Sequence, residues 1–142
     1  MDSPESSGGP VPIGQPARDR DFALTVTAVD CGKQDLAPDA PDTKPQGQFC
    51  VVKLTARNAA SRTLRFTLSV FRQSAYAPDG TRYAVSSAAT EDASQGKNPF
   101  IVQVNPGNEV PGVLVFDIPK TSSVAKLKLY ESVISPGVEV TV

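Results

Sequence analysis

The sequence predicts an all-β protein, an antiparallel two-sheet β-sandwich of seven to nine strands. Three observations carry that expectation. Short stretches of alternating apolar and polar residues recur along the chain, a period of two that suits half-buried strands. Turn dipeptides and prolines interrupt them at the close spacing of two packed sheets, with 10 Gly and 13 Pro among 142 residues. No segment keeps a helical period for three turns, and β-branched residues recur throughout.

Residues 1–12 hold Ser, Gly, Pro and acid with almost nothing to bury. They read as a disordered tail, either a tether or an ordinary frayed end, ahead of one domain over 13–142. Residues 13–18 suit a short edge strand in which Pro16 limits pairing, and Asp19-Arg20-Asp21 turns the chain. Phe22, Leu24, Val26 and Ala28 alternate with Ala23, Thr25 and Thr27 as a half-buried strand. Beyond Cys31-Gly32 lies a polar loop with Pro38, Pro41 and Pro45. Residues 48–58 make a second long strand, placing Cys50, Val52, Leu54 and Ala56 on one face.

Leu64, Phe66, Leu68 and Val70 form a third strand opposed by Arg65, Thr67 and Ser69. Tyr76 and Tyr83 flank Asp79-Gly80, a hairpin signal. Residues 86–98 then read as a polar loop without periodicity. Residues 100–104 make a short strand that ends at the Asn105-Pro106-Gly107 turn. Within 110–119, Leu114, Phe116 and Ile118 face one side and Val113 and Val115 the other, the pattern of a central strand. Leu127 and Leu129 alternate with Lys126 and Lys128, and Val138, Val140 and Val142 close the chain after Pro136-Gly137.

Fourteen basic and fifteen acidic residues leave a net charge of −1, with both signs mixed along the chain. That balance lacks the basic stripe a phosphate backbone requires, which argues against nucleic acid and against docking on anionic lipid. No apolar run approaches the roughly 20 residues of a membrane-spanning helix. Met1-Asp2-Ser3-Pro4-Glu5 has neither the basic start nor the apolar stretch of a secretory leader. A cytosolic protein and a mature form with its leader removed both fit; the cysteine pair and the tail favour the second.

Cys31 and Cys50 are the two cysteines. If the strands around them pair antiparallel, they meet across the base of the intervening loop, within reach of a disulfide. Closing such a loop stabilises by about 3 kcal/mol in the chain-entropy model. Two buried free thiols are the alternative. Two thiolates without histidine do not complete a zinc tetrahedron, and the spacing is not that of a redox Cys-x-x-Cys. Nor is the pair antibody-like: no tryptophan stands between the cysteines, so the bond should clamp a loop rather than two sheets.

The absence of histidine removes Ser-His-Asp catalysis, and no G-x-S-x-G elbow occurs. A Ser-Lys dyad from Ser69 with Lys53 or Lys97 has no motif support. Asp35, Asp39 and Asp42, and again Glu91-Asp92, read as solvated loop charge, because neither cluster follows the Asp-x-Asp-x-Asp-Gly calcium loop. No catalytic residue, metal or cofactor is therefore expected. Phe71, Arg72, Tyr76, Arg82 and Tyr83 combine aromatic and cationic side chains around the hairpin. They form the candidate partner surface, or simply cover a sheet face.

Ile13-Gly14, Phe22-x-Leu24-x-Val26, Cys31-Gly32 and Gly47-x-Phe49-Cys50-Val51-Val52-x-Leu54 with Asn58 occur in a recurrent order. Tyr76-x-x-Asp79-Gly80-x-x-Tyr83, Asn105-Pro106-Gly107 and Gly112-Val113-Leu114-Val115-Phe116-Asp117-Ile118-Pro119 continue it. Over nearly the whole chain this resembles the bacterial immunoglobulin-like domain of unknown function found in secreted proteins and lipoproteins of Gram-positive bacteria. That family is related in fold to the mycobacterial immunoprotective extracellular antigen. The resemblance implies an immunoglobulin-like sandwich exported from the cell, often tethered through an N-terminal lipid-modified cysteine absent from this sequence. It carries over no catalytic residue.

The resulting expectation is a non-catalytic β-sandwich, extracellular or anchored at the cell surface, that acts through protein or ligand contacts, with an envelope or extracellular protein as the partner. Its membrane attachment would run only through a removed lipid anchor. The alternative is a small-molecule carrier or enzyme with a site between the sheets or under the 86–98 loop.

Overall fold

The alternating segments do become strands. A computed structural model describes residues 9–36, 44–67, 72–94, 101–132 and 135–142. Within them lie eleven strands: β1 (Val11–Pro12), β2 (Pro16–Asp19), β3 (Phe22–Lys33), β4 (Gln48–Asn58), β5 (Leu64–Thr67), β6 (Ser74–Tyr76), β7 (Arg82–Ala84), β8 (Ile101–Val104), β9 (Glu109–Ile118), β10 (Lys126–Leu129) and β11 (Val138–Thr141). One helix, α1 (Ser87–Ala93), joins them. The tail at 1–8, Leu68, Ser69, Val70, Phe71, Lys97 and Phe100 lie outside the described residues, as do Pro38, Asp39, Pro41 and Asp42.

The strands build a β-sandwich from three hydrogen-bonded groups: β1-β11-β10-β6-β7, β2-β3-β4-β9 and β5-β8. All neighbouring pairs are antiparallel except β1 with β11. Register makes the inner face of the five-stranded sheet a continuous apolar row, Val11–Val140–Leu127–Ala75–Tyr83. Opposite it stand Leu24, Val26, Cys50, Val52, Leu54, Leu114 and Phe116, all buried in the same cluster. Phe66 of β5 and Val104 of β8 close one end of that core, with the Phe66 ring 5.0 Å from Phe22. The face assigned to Cys50, Val52, Leu54 and Ala56 is the buried one.

Four features differ from the sequence reading, each for a physical reason. Eleven strands replace seven to nine because pieces as short as β1 show no period; β1 also draws Val11 and Pro12 out of the tail into the sheet. β3 runs on through Cys31 to Lys33 instead of stopping near Ala28. Register shifts between Val26 and Ala28 and between Asp30 and Lys33 break the period of two there, and Gly32 takes φ +80.

Part of the 86–98 segment is α1, two turns long and too short for a period to show. The Ser86 side chain caps it by accepting the Ala89 N–H at 3.3 Å. Finally, β9 is an edge rather than a central strand. It pairs with β4 along its length, but on its other side it meets only the Val85–Phe116 bridge and α1 among the described residues. Its second apolar face is explained by the helix: Val115 and Phe49 pack against Ala89, flanked by Leu36, Val51 and Ala93.

The expected disulfide joins Cys31 to Cys50, with Cα atoms 3.9 Å apart. It closes the base of the loop between β3 and β4. Beside it, Asp117 accepts the N–H groups of Gln46 and Gly47 at 2.8 and 3.0 Å. Gln48 Nε2 donates to the carbonyls of Pro119 and Ser122 at 2.9 and 3.0 Å. One pole of the sandwich is thus locked by a covalent bond and side-chain bonds to backbone.

Candidate functional site

The outer face of the five-stranded sheet follows from the alternation that buries Leu127 and Leu129. Their neighbours Lys126 and Lys128 must point to solvent. Register aligns Arg82, Tyr76, Lys126 and Thr141 in a first row and Ala84, Ser74, Lys128 and Glu139 in a second. Just beyond the strands, Arg72 and Tyr130 form a third. The Arg72 guanidinium lies 3.7 Å from the centre of the Tyr130 ring, and the Lys126 ammonium 4.9 Å from that of Tyr76. Glu139 lies between the two lysines, 3.9 Å from Lys126 and 3.8 Å from Lys128.

The candidate partner surface read from sequence is therefore divided. Tyr76 and Arg82 face each other across the hairpin on the outer side. Arg72 shares that face two rows away, where its Nη1 also donates to the carbonyls of Ser132 and Ser135 at 2.8 and 3.2 Å. Tyr83 points the other way, packs on the core and shares a 2.9 Å hydrogen bond with Ser122 Oγ. Phe71 lies outside the described residues. The sequence reading missed Lys126, Lys128, Tyr130 and Glu139 as members of the same face. Their alternation was visible, but the pairing of β10 with β6 spans about fifty residues of chain and leaves no local trace.

Below this face Asp19, 1% exposed, gathers the connection between β10 and β11. Its Oδ2 accepts the Glu131 N–H at 2.8 Å and the Ser135 hydroxyl at 2.7 Å, and its Oδ1 accepts the Gly137 N–H at 3.1 Å. Glu131, half-buried above it, has its pKa raised from the ordinary value by burial, reinforced by the Asp19 charge. In the hairpin turn, the Thr81 N–H bonds to Asp79 at 3.0 Å and lowers that carboxyl's pKa.

On the opposite side of the molecule a groove of about 420 Å³ runs along the outer face of β3, β4 and β9, beside the end of α1. Thr27, Lys53, Thr55, Ala93, Pro111 and Val113 line it. This is the 86–98 region that the carrier alternative pointed to. Between the sheets the space is filled by Phe22, Phe66, Phe116 and the leucines of the core. Lys53 faces the groove, while Ser69 and Lys97 fall outside the described residues. Asp35 pairs with Lys44. Among the described residues no group of three or more His, Cys, Asp or Glu side chains could hold a metal ion. No helix there is long and apolar enough to cross a membrane.

Solved structures share this architecture. The yjhA protein of Bacillus subtilis superposes with a TM-score of 0.64 at 15% identity, over 92% of this chain and 99% of its own. The secreted protein MPT63 of Mycobacterium tuberculosis gives 0.61 at 17% identity, over 96% and 100%. A β-sandwich protein from Clostridium difficile gives 0.55 at 14% identity, over 99% of each chain. At these identities the likeness is one of fold. No functionally curated protein matches the sequence. The family described as "Domain of unknown function (DUF4352)" matches residues 11–139, and the chain belongs to that family.

Proposed function

We propose that the protein is an exported, non-catalytic sandwich of the immunoglobulin-like class that works at the cell envelope by touching another protein. The contact surface is the outer face of the five-stranded sheet. One observation carries this reading: Tyr76, Tyr130, Arg72, Arg82, Lys126 and Lys128 converge on a single solvent-facing sheet. Tyrosine and arginine are the side chains that dominate protein interfaces. The Cys31–Cys50 bond supports an oxidising compartment, and so does the likeness to a protein described as secreted.

The direction of the chain bears on an anchor. β1 runs parallel to β11, so residues 9 and 10 enter it from the pole of Asp19 and Gly137. The disulfide and the Asp79-Gly80 turn lie at the other pole. A lipid-anchored tether ahead of β1 would present that locked pole away from the membrane.

The test is expression behind a secretory leader in a Gram-positive host, followed by fractionation and thiol labelling without reduction. Protein outside the cytoplasm or on the membrane, with neither cysteine labelled, is expected. Cytoplasmic retention, or two reactive thiols in exported protein, overturns the reading. A photo-crosslinking residue at Arg82, compared with one at Lys53 in the groove, tests the contact face. The groove beside α1 supports a second reading, a small-molecule carrier, which a fluorescent apolar probe displaced by envelope extract would favour.

A further inference from the structure

We propose that the outer face of the five-stranded sheet binds an acidic polypeptide segment, laid across Arg82, Lys126 and Lys128. The proposal rests on the contact reading and adds the chemistry of the partner. The chain as a whole carries a net charge of −1. Yet, among the described residues, this face sets Arg72, Arg82, Lys126 and Lys128 against the single carboxylate of Glu139. That carboxylate is shared between two ammonium groups at 3.9 and 3.8 Å, so it neutralises only half of their charge. The remaining positive field favours a negatively charged partner and speeds its approach.

Shape narrows the choice. Lys128 and Glu139 share the middle row with the small Ala84 and Ser74, while Tyr76 stands in the row on one side and Tyr130, with Arg72 stacked on its ring, lies beyond the other. The face is therefore one continuous run of side chains, with Lys126 4.9 Å from the Tyr76 ring, Lys128 5.9 Å from the Tyr130 ring and Glu139 between the two ammonium groups. Rows two residues apart along a strand lie about 6.6 Å from each other, so the three rows span about 13 Å, the footprint of one extended chain laid over them. A polyphosphate would gain little from the rings. The aliphatic and peptide groups of a polypeptide pack on tyrosine faces while its carboxylates meet the cations.

The experiment titrates isotope-labelled protein, followed by amide NMR, with a twelve-residue peptide of alternating Glu and Leu. The same peptide with Gln for Glu, and inorganic polyphosphate, form the other arms. Shifts confined to β6, β7, β10 and β11 are expected for the acidic peptide alone. K126A/K128A should weaken binding about tenfold, since an exposed ion pair contributes at most about 1 kcal/mol. E139Q should tighten it about two- to fivefold on the same scale, and K53A on the opposite face should leave it unchanged. A second variant, R82A, repeats the test where the lysine pair unfolds the sheet. No binding at millimolar peptide, equal binding of the Gln peptide, or tighter binding of polyphosphate through the same residues overturns the proposal. If the acidic peptide fails while the Arg82 crosslinker still captures an envelope protein, the charge chemistry falls and the contact reading stands.

Discussion

The Tyr130 ring occupies the space that a side chain at Gly137 would fill. An ideal Cβ on Gly137 falls 2.5 Å from Tyr130 Cε2 and 3.0 Å from the Leu129 carbonyl oxygen, and Gly137 has φ +83. One glycine therefore lets the ring lie flat against the sheet, with Arg72 stacked on it. G137A should cost about 2–4 kcal/mol, combining left-handed backbone strain with overpacking. In a double-mutant cycle by urea unfolding, Y130A should recover the overpacking share. Additive losses would mean that the ring and the glycine are not coupled.

Opening the disulfide with reductant, or replacing both cysteines by alanine, should destabilise by about 3 kcal/mol for a loop of this length. Cys50 is 0% exposed within the core, so C50A alone should lose somewhat more than C31A. The check is the urea midpoint of all three variants, with hydrogen exchange expected to rise first in the Cys31 segment. Equal stability with and without reductant would show that the clamp adds nothing.

How far the sequence could be read tracks where the physics is local. β4 was legible to the residue because Cys50, Val52, Leu54 and Ala56 alternate without a break on a fully packed face. The Tyr76–Tyr83 hairpin was legible because its turn chemistry is contiguous. β3 reads as ending near Ala28 because bulges at Thr27 and around Cys31 shift the phase of alternation. β9 reads as a central strand because burial of Val115 by a helix and burial by a second sheet leave the same apolar signature. Half of the candidate face stayed hidden for a related reason. Lys126 and Tyr76 become neighbours only once β10 pairs with β6.

Asp19 shows how one buried carboxylate can hold two parts of the sandwich together. Its three donors, the Glu131 N–H, the Ser135 hydroxyl and the Gly137 N–H, belong to the segment that carries Tyr130 and leads into β11. D19A leaves buried donors without an acceptor and should cost about 3–5 kcal/mol. Amide exchange at Glu131 and Gly137 should accelerate together. Unchanged protection at both positions would contradict the shared hub.

Glu131 should make stability depend on pH in the opposite sense to a salt-bridged acid. Burial is the main cause that raises its folded pKa above the ordinary 4.5, with the nearby Asp19 charge adding to it. The folded state therefore favours the protonated form. The associated stability is fully present below pH 4.5 and is lost as pH rises through the folded pKa. E131Q, which stays neutral, should melt higher than the parent protein at pH 7. The difference should shrink as pH falls towards 4, and a gap of constant size from pH 4 to 7 would exclude this account.

The open edge of β9 is guarded by one hydroxyl. Thr90, 0% exposed on α1, accepts the Val115 N–H through Oγ1 at 2.9 Å, while the Val115 carbonyl takes the Ser86 N–H at 2.8 Å. The helix thus satisfies a strand edge that would otherwise present a free donor, and it covers Val115 with Ala89. T90V keeps the volume but removes the acceptor, so it should cost about 1–3 kcal/mol from the buried unsatisfied N–H alone. T90S retains the hydroxyl and should recover most of that loss. Because the bond joins the helix to the edge, T90V should speed exchange of the Val115 amide far more than that of Val52 on the shielded strand β4. It should also raise the tendency of the protein to self-associate through β9, measured by sedimentation at high concentration. Exchange that quickens equally at both amides would assign the effect to global unfolding instead.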